Sequence, residues 1–299
     1  MRADKQVDKQ ADKQADGQDE KQADKKDDEQ ADTRANQSRV ESWRSRLTEL
    51  DPVGVLAWAT GRFGARTVFT SSLGLEDQVI THMVGQLESP GRRLQIAVID
   101  TGRLFAETYT ALDSTRNQYP DHRLRVYFPQ SQGVETMVNE AGPNLFFDGV
   151  EQRKRCCFVR KVEPLRRALS GKSCWVTGLR RQQSSARGST DVVEWDEAHG
   201  VVKVNPLWNW SERRLAAYQS KHRVPYNPLH DRGYPSVGCA PCTRAVAAGE
   251  DPRSGRWWWE SGEERECGLH AKCERDADRI DEPHDSTRSR HASIHVKAR

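Results

Sequence analysis

The chain has 299 residues, of which 30% are charged and 35% hydrophobic, and its formal net charge is +3. This charge is too small to create a surface-wide field that would attract nucleic acid, and no apolar run approaches the roughly 20 residues of a membrane-spanning helix. The N-terminus has no apolar segment of the kind found in secretory signals, so we expect a cytoplasmic protein with neither a membrane nor a nucleic-acid partner. In a reducing cytoplasm its seven cysteines are expected to be metal ligands or reactive thiols rather than to form disulfides.

The composition divides the chain into four predicted segments. Residues 1–38 repeat Asp, Lys, Gln and Ala and hold almost no large apolar side chain, so burial cannot offset the entropy of ordering and we expect disorder. Residues 39–262 carry the apolar periodicity of an α/β domain. Residues 263–272 form a short segment around an isolated cysteine, and residues 273–299 form a polar tail that we also expect to be disordered.

The first half of the α/β domain alternates between predicted helices and strands. Apolar residues at helical spacing predict helical structure from residue 40 to residue 57, on both sides of Pro52. Short apolar runs predict strands, and amphipathic stretches between them predict helices: strands at 67–70, 95–99, 124–128 and 174–178, and helices at 78–86 and 103–118. This alternation predicts a parallel sheet with right-handed crossovers.

In a sheet of this kind the ligand lies beyond the carboxyl ends of the strands. We therefore expect three loops that follow strands, residues 71–77, 100–103 and 178–187, to converge on one site. Beyond residue 185, the runs 192–195 and 201–204 predict a hairpin. A helix capped by Ser211 follows and reaches about residue 222, and residues 224–262 are mostly loop that the cysteines near residue 240 would anchor.

Candidate anion-binding residues occur in the first two of these loops. Ser71, Ser72 and Gly74 follow a strand and precede a helix, which is typical of a loop that cradles phosphate, although it lacks the Gly-Lys-Ser/Thr of a Walker loop. An ordinary serine-rich turn is an equally good interpretation of these residues alone. Asp100 and Arg103 follow the end of the next strand, and that position favours an anion-binding site over an ordinary turn.

Candidate cations for an anionic ligand come from two further loops. Arg180 and Arg181 follow the strand at 174–178, and Arg253 and Arg256 precede a run of three tryptophans. Pairs of guanidinium groups bind phosphate or sulfate through two hydrogen bonds each. Most arginines are solvated surface residues, so the assignment of these four arginines to an anion site rests on their position at the predicted loops.

Four cysteines form a two-plus-two set, with Cys156 adjacent to Cys157 and Cys239 three residues before Cys242. Such a set is able to hold one soft metal centre. Adjacent cysteines suit a single zinc ion poorly, because neighbouring side chains seldom both reach one tetrahedral ion, whereas a cluster of several irons offers each thiolate a different iron. Zinc and a redox disulfide between Cys239 and Cys242 remain alternatives.

The other cysteines differ from this set. Cys174 lies within an apolar strand and is interpreted as a core residue, and Cys273 in the polar tail is given no role. Cys267 lies beside a glycine and three residues before His270. Because four other thiols complete a metal site, Cys267 is a candidate nucleophile.

The chain resembles the bacterial assimilatory adenylyl-sulfate reductases, within the family that reduces adenylyl sulfate or its 3′-phosphorylated form. The resemblance covers about residues 40 to 270 and rests on motifs that occur in order at residues 71–77, 100–104, 156–161, 177–184, 205–207, 225–229, 238–244, 255–260 and 266–270.

The resemblance implies an α/β fold with a parallel sheet of the adenine-nucleotide α-hydrolase-like type and a loop-rich C-terminal segment. It implies reduction of adenosine 5′-phosphosulfate to sulfite and AMP with thioredoxin as reductant, through an S-sulfocysteine on Cys267, in the assimilation of sulfate toward cysteine. The four paired cysteines correspond to the family's [4Fe-4S] ligands, one cluster per chain. The resemblance implies Lys161, Arg253, Arg256 and His270 as residues around the phosphosulfate. Together with the residues of the strand-end loops, the predicted nucleotide-site residues are Ser71, Ser72, Gly74, Asp77, Asp100, Arg103, Lys161, Arg180, Arg253, Arg256 and His270.

Three alternatives to this function stay open at the level of sequence. The substrate could be the 3′-phosphorylated nucleotide, or both nucleotides. An ATP-dependent thiolation enzyme shares the sheet but usually carries Ser-Gly-Gly-x-Asp-Ser in the first loop, which differs from residues 71–74. A zinc-stabilised nucleic-acid-binding module is the most distant alternative, and the small net charge and the adjacent cysteines disfavour it.

Overall fold

The computed structural model describes residues 33–87, 94–184 and 187–260. Cys267, His270 and Cys273 lie outside the described residues, as do residues 1–32 of the N-terminal repeat. Within the described part, no helix is both long enough and apolar enough to cross a lipid bilayer.

One six-stranded sheet organises the described chain, in the order β3-β2-β1-β4-β6-β5. Only β5 runs antiparallel to its neighbour β6, and the other pairings are parallel. This arrangement confirms the predicted parallel sheet and the predicted hairpin. The strands are β1 (Thr67–Ser71), β2 (Gln95–Ile99), β3 (Arg123–Tyr127), β4 (Cys174–Val176), β5 (Val193–Asp196) and β6 (Val201–Val204).

Eight helices cover the sheet and join its strands in the described chain. They are α1 (33–48), α2 (Pro52–Phe63), α3 (Leu75–Val84), α4 (Ala106–Gln118), α5 (Ser131–Ala141), α6 (Val150–Cys157), α7 (Glu163–Leu169) and α8 (Glu212–His222). The predicted helical stretch breaks before Pro52, because Asp51 caps α2 by accepting a 2.7 Å hydrogen bond from the Gly54 amide. As predicted, Ser211 caps α8, and its side chain accepts from the Arg214 amide.

Several boundaries differ from the prediction. Helix α4 begins at Ala106 and not at residue 103, and β4 ends at Val176 and not at residue 178. Helix α1 begins at residue 33, inside the segment predicted to be disordered up to residue 38, because Val40 and Leu47 of this helix are buried in the core. Helix α3 begins at Leu75 and not at residue 78, which brings its first turn next to the loop after β1.

The hydrophobic core forms one layer on each face of the sheet, and the two layers differ in size. The larger layer packs β1, β4 and β6 against α1, α2, α3 and α8, and includes Leu47, Leu56 and Phe69, all with no exposed surface. The smaller layer packs Trp175 of β4 against Leu165 and Ala168 of α7. Edge strand β3 exposes Arg123 and Arg125, charges that discourage pairing with another chain. A third cluster, built around four cysteines, lies apart from both layers.

Candidate active site

A cavity of about 260 Å³ opens at the carboxyl ends of β1, β2 and β4. Its lining includes residues from all three loops that the sequence predicts to converge, at 71–77, 100–103 and 178–187. Residues 235–239, together with Pro252, Arg253 and Arg256, complete the lining of the cavity. The cavity therefore lies where a parallel sheet of this type binds its ligand.

The polar groups of the loop after β1 form hydrogen bonds with one another. The Ser72 amide and hydroxyl both donate to Asp77 Oδ2, at 2.6 and 2.7 Å, and the Leu73 amide donates to the Ser71 hydroxyl at 3.1 Å. Leu73 has a φ of 60°, so the chain reverses sharply here. Because the Asp77 carboxyl occupies the Ser72 donors, the loop differs from the open phosphate cradle predicted for residues 71–74.

Asp77 is held between this loop and the loop after β4. Burial raises the pKa of Asp77 to about 6, and the hydrogen bonds from Ser72 oppose that shift. A Cβ atom at Gly178 would lie 2.1 Å from Asp77 Oδ1, so the closeness of the two loops depends on glycine at this position. Asp77 thus fixes the geometry of the two loops.

Arg180 is also paired within the protein. Its Nε and Nη2 atoms donate to Glu76 Oε1 at 2.9 and 2.7 Å, and its Nη1 atom donates to the Trp210 carbonyl at 3.1 Å. Only 7% of the Arg180 side chain is exposed. We call this side of the cavity the strand-end wall, formed by Ser71, Ser72, Glu76, Asp77, Gly178 and Arg180.

The opposite side, here called the cationic wall, is formed by Lys161, Arg253 and Arg256. Lys161 and Arg256 are buried. The Arg256 guanidinium lies 4.6 Å above the centre of the Trp257 ring, and a Cβ atom at Gly238 would lie 2.3 Å from its Nη2 atom. Arg256 Nε is buried without a hydrogen-bond partner among the described residues. A buried, unsatisfied donor on a cation is costly, and an anionic ligand in the cavity would reduce that cost.

Beside the cationic wall, four cysteines from two chain segments come together. Cys156 and Cys157 end α6, and Cys239 and Cys242 flank a single 3₁₀ turn. All four are free thiols with 7–8% of their surface exposed, and they line a small cavity of about 10 Å³ with Lys161. In the described residues, no three or more His, Cys, Asp or Glu side chains have the arrangement of ligands around a metal ion. The four cysteines pack with four apolar side chains in one buried cluster, which we call the cysteine cluster. Its members are Met137, Leu145, Phe146, Cys156, Cys157, Cys239, Cys242 and Trp257.

A widened helical turn connects the cysteine cluster to the cationic wall. Residues Phe158–Val162 form a π-helix between α6 and α7, a rare conformation that is frequent at functional sites. It carries Lys161 into the cavity lining and buries Arg160, whose Nη1 atom donates to the Thr101 carbonyl at 2.8 Å. The Thr101 hydroxyl lies 3.2 Å from Cys239 Sγ. The loop after β2 therefore joins the two cysteine segments.

Burial makes two thiols of the cysteine cluster, Cys156 and Cys242, hold their protons more tightly than an ordinary thiol because it raises the pKa of each. Burial raises the pKa of the Cys242 thiol to about 11, against the opposing effect of Lys161 and Arg256, and burial also raises that of Cys156. Metal binding would displace these protons, since thiolates are the ligands of soft metals. Cys174, with no exposed surface, lies in the larger core layer away from the cysteine cluster, as predicted.

Three of the predicted site residues, Asp100, Arg103 and Arg181, do not line the cavity. The Arg181 guanidinium lies over the Trp208 ring, and its Nε atom donates to the Thr190 carbonyl at 2.6 Å. Asp100 Oδ1 accepts from the Gly102 amide at 2.7 Å and the Tyr109 hydroxyl at 3.1 Å. Gly102, with a φ of 71°, turns the chain so that Arg103 points away. The Arg103 guanidinium donates to the Pro143 carbonyl and to Asn144 Oδ1 and lies over the Phe146 ring. Asp100 and Arg103 therefore support the loop in this structure, and their contact with a nucleotide stays a prediction.

The structure also adds residues that the sequence motifs do not single out. Arg187 lines the cavity, with its Nη1 atom 2.6 Å from Gln183 Oε1. Trp175 lines it as well and donates from its indole nitrogen to the Thr70 hydroxyl at 2.7 Å. Arg187 lies at the end of the loop predicted to reach the site, so its position could have been recognised. Trp175, within an apolar strand, gave no such signal.

Comparison with known proteins agrees with this geometry. Residues 66–245 match the family model of the phosphoadenosine phosphosulfate reductase domain. The chain is 46% identical to an adenosine 5′-phosphosulfate reductase of Sinorhizobium fredii, over 80% of this chain and 93% of that protein. It is 49% identical to a protein of the same name from Allochromatium vinosum, over 69% of this chain and 78% of the other.

A solved structure extends the comparison to the fold. The phosphoadenylyl-sulfate reductase of Candida auris, in a phosphate complex, is 30% identical and superimposes with a TM-score of 0.60, over 70% of this chain and 97% of that chain. The sheet is thus the nucleotide-binding α-hydrolase-like sheet that the sequence predicts. On these matches, the chain belongs to the phosphoadenosine phosphosulfate reductase domain family.

Proposed function

We propose that this protein reduces adenosine 5′-phosphosulfate to sulfite and AMP, with thioredoxin as the electron donor. The names of its 45–52% identical relatives support the substrate. The observation that carries the proposal is the cationic wall, because Lys161 and Arg256 are buried beside a nucleotide-sized cavity. Buried cations suit the two adjoining anionic groups of a phosphosulfate.

The chemistry proposed for the cavity begins with charge compensation. The phosphate, the sulfate and an attacking thiolate are all negative, so Lys161, Arg253 and Arg256 would offset their repulsion in the transition state. Cys267 is proposed as the nucleophile. Its thiolate attacks the sulfur atom, a bond forms between sulfur and Cys267 Sγ, and the bond from sulfur to the phosphate oxygen breaks to release AMP. His270 would lie near the same group.

Thioredoxin would complete the reaction by thiol exchange. One of its thiolates attacks Cys267 Sγ, and sulfite leaves with the electron pair of the broken sulfur–sulfur bond. The second thiol of thioredoxin attacks the resulting mixed disulfide and frees Cys267 as a thiolate. The nucleotide sulfate is reduced by two electrons and the dithiol is oxidised to a disulfide, so the electrons balance.

The cysteine cluster is proposed to hold one [4Fe-4S] group through Cys156, Cys157, Cys239 and Cys242. Its donor set fits this group, since four free thiols from two segments meet in an apolar environment with Lys161 at its edge. When bound, the [4Fe-4S] group would tie the two cysteine segments together and hold them beside Lys161. The residues of this chain perform the steps above without passing electrons through it.

The direct test is turnover by the anaerobically purified protein with thioredoxin and each of the two nucleotide sulfates. We expect sulfite and AMP from adenosine 5′-phosphosulfate, and a kcat/KM for the 3′-phosphorylated nucleotide that is lower. A higher kcat/KM for the 3′-phosphorylated nucleotide would favour the activity named for the Candida auris structure. Absence of sulfite with both nucleotides would contradict the proposal.

A further inference from the structure

Exposed apolar side chains gather beside the cysteine cluster. In the described part of the chain, the large hydrophobic side chains that are exposed are Leu50, Tyr109, Phe128, Phe147, Val150 and Trp258. Phe147 and Val150 belong to the segment that leads into α6 and its two cysteines, and Trp258 follows Trp257 of the cysteine cluster. The other three belong to separate segments of the fold. Scattered exposure of this kind is ordinary, whereas a contiguous group marks an interaction surface.

The rings of this group touch one another. The centre of the Phe147 ring lies 4.5 Å from that of Trp259, and the Trp259 ring lies 4.8 Å from that of Trp258. The exposed fractions are 48% for Phe147, 43% for Val150 and 40% for Trp258. We call the three residues whose rings are in contact, Phe147, Trp258 and Trp259, the aromatic patch.

The aromatic patch has a fixed base, and the neighbouring helix carries ion pairs. Phe146, which is 1% exposed and belongs to the cysteine cluster, packs against Phe147 with ring centres 4.6 Å apart. Helix α6 packs against the 3₁₀ turn at Leu145–Phe147 that carries Phe147, and residues of α6 form the ion pairs Lys154–Glu151 and Arg155–Glu140. An apolar centre with a polar rim is the usual construction of a protein interface, and short-lived redox encounters use small ones.

The patch also lies close along the chain to the proposed nucleophile. Glu260, two residues after Trp258, is buried in an ion pair of 2.6 Å with Arg153 of α6, which fixes the end of the described chain. Cys267 follows Glu260 by seven residues. Seven residues span at most about 25 Å when fully extended. A protein whose thiol attacks Cys267 Sγ must therefore bring that thiol to within roughly 25 Å of Glu260.

We propose that the aromatic patch is the docking surface for the dithiol protein that discharges Cys267. This inference rests on the proposed function, and it assigns a place to the partner that the proposed reaction requires. The partner would be a small protein whose reactive thiol lies in an apolar surface that covers Phe147 and Trp258. Docking on the aromatic patch would hold the partner's thiol near Cys267 Sγ while sulfite leaves in the thiol exchange described above.

Two separate variants, Phe147→Ser and Trp258→Ser, test the inference in the full-length, cluster-loaded protein, each with two reductants. With thioredoxin, we expect kcat/KM for the reductant to fall at least tenfold. With dithiothreitol, which needs no docking surface, we expect turnover and iron content within twofold of the wild type. Phe128→Ser is the matched control, because Phe128 is 56% exposed after β3 and outside the patch, and it should leave both rates unchanged.

Several results would overturn the inference. Equal losses with both reductants would assign the patch to the stability of the site, and unchanged thioredoxin kinetics in both variants would exclude docking there. A variant that changes the molecular mass in solution, with thioredoxin kinetics intact, would show that the patch binds a second copy of the chain. Wild-type protein that turns over with neither reductant would contradict the proposed function and the inference together.

Discussion

The two walls of the cavity balance their charges in different ways. In the strand-end wall, Arg180 donates twice to Glu76 and Ser72 donates twice to Asp77, so these polar groups find partners inside the protein. In the cationic wall, Arg256 is 6% exposed and its Nε atom has no hydrogen-bond partner among the described residues. The strand-end wall thus pairs Arg180 and Asp77 within the protein, whereas Arg256 in the cationic wall leaves a buried donor for a ligand to complete.

This difference suggests how the substrate is oriented. The phosphosulfate end carries all the negative charge of adenosine 5′-phosphosulfate and would bind at the cationic wall, beside the cysteines. The uncharged nucleoside would then lie along the strand-end wall. Charge fixed in advance around a reacting group stabilises a transition state without reorganisation at the moment of reaction. Substitutions in the cationic wall should therefore affect catalysis, and those in the strand-end wall should affect stability.

The largest expected effect is at the cysteines beside the cationic wall. Cys157→Ser should lose iron, acid-labile sulfide and most of the activity, because a hydroxyl is a poor ligand for a soft metal. Cys174→Ser is the matched control, since Cys174 is buried in the core layer and not in the cysteine cluster. Iron and sulfide analysis of anaerobic protein measures the difference. Stoichiometric zinc without sulfide in the wild type would contradict the cluster.

The next effect is at Arg256. Arg256→Ala removes a charge-assisted contact of about 1.5–3 kcal/mol, so kcat/KM for the nucleotide should fall about 10- to 150-fold. Arg181→Ala is the control, because the Arg181 side chain is 43% exposed and does not line the cavity. Steady-state kinetics with the nucleotide as the varied substrate separates the two. If both variants matched the wild type, the cationic wall would not bind the phosphosulfate.

A smaller effect, on stability, is expected at Asp77 in the strand-end wall. Burial raises the pKa of Asp77 from its ordinary value of 3.8 to about 6, so the folded protein binds this proton more tightly than the unfolded chain does. The contribution of Asp77 to stability is therefore greatest below about pH 4 and is lost as the pH rises through about 6, by about 3 kcal/mol in total.

Asp77→Asn should remove that slope. Urea unfolding of both proteins from pH 4 to pH 7 measures it as the difference between wild type and variant, and Asp113→Asn, an exposed position on α4, is the control. A difference that stays constant across this range would show that Asp77 does not titrate as its burial indicates.

The smallest effect is expected for the pair of Arg180 and Glu76. Their side chains are 7% and 18% exposed, so a double-mutant cycle of Arg180→Ala and Glu76→Gln should give a coupling of about 1 kcal/mol in the free energy of unfolding. Additive single effects would mean that the pair does not stabilise the strand-end wall. A loss of kcat/KM beyond that of Arg256→Ala would reverse the assignment of the two walls.

The sequence predicts the scaffold of this site better than its charge pairing. Alternating apolar strands and helices indicate the parallel sheet, and the position of a loop after a strand is enough to bring residues 71–77 and 178–187 together. The pairing of Arg180 with Glu76 joins residues 104 positions apart and leaves no local pattern. The π-helix after Cys157 likewise depends on tertiary packing, because nothing in its local composition specifies a wider turn.

The central claim is that the cavity delivers a nucleotide sulfate to Cys267, and one mass measurement tests it most directly. The cluster-loaded protein is incubated with adenosine 5′-phosphosulfate without thioredoxin and then digested. We expect one sulfonate on the peptide that contains Cys267, one AMP released per chain, and discharge of the sulfonate as sulfite when reduced thioredoxin is added. An adduct on Cys273, or turnover by Cys267→Ser, would contradict the account.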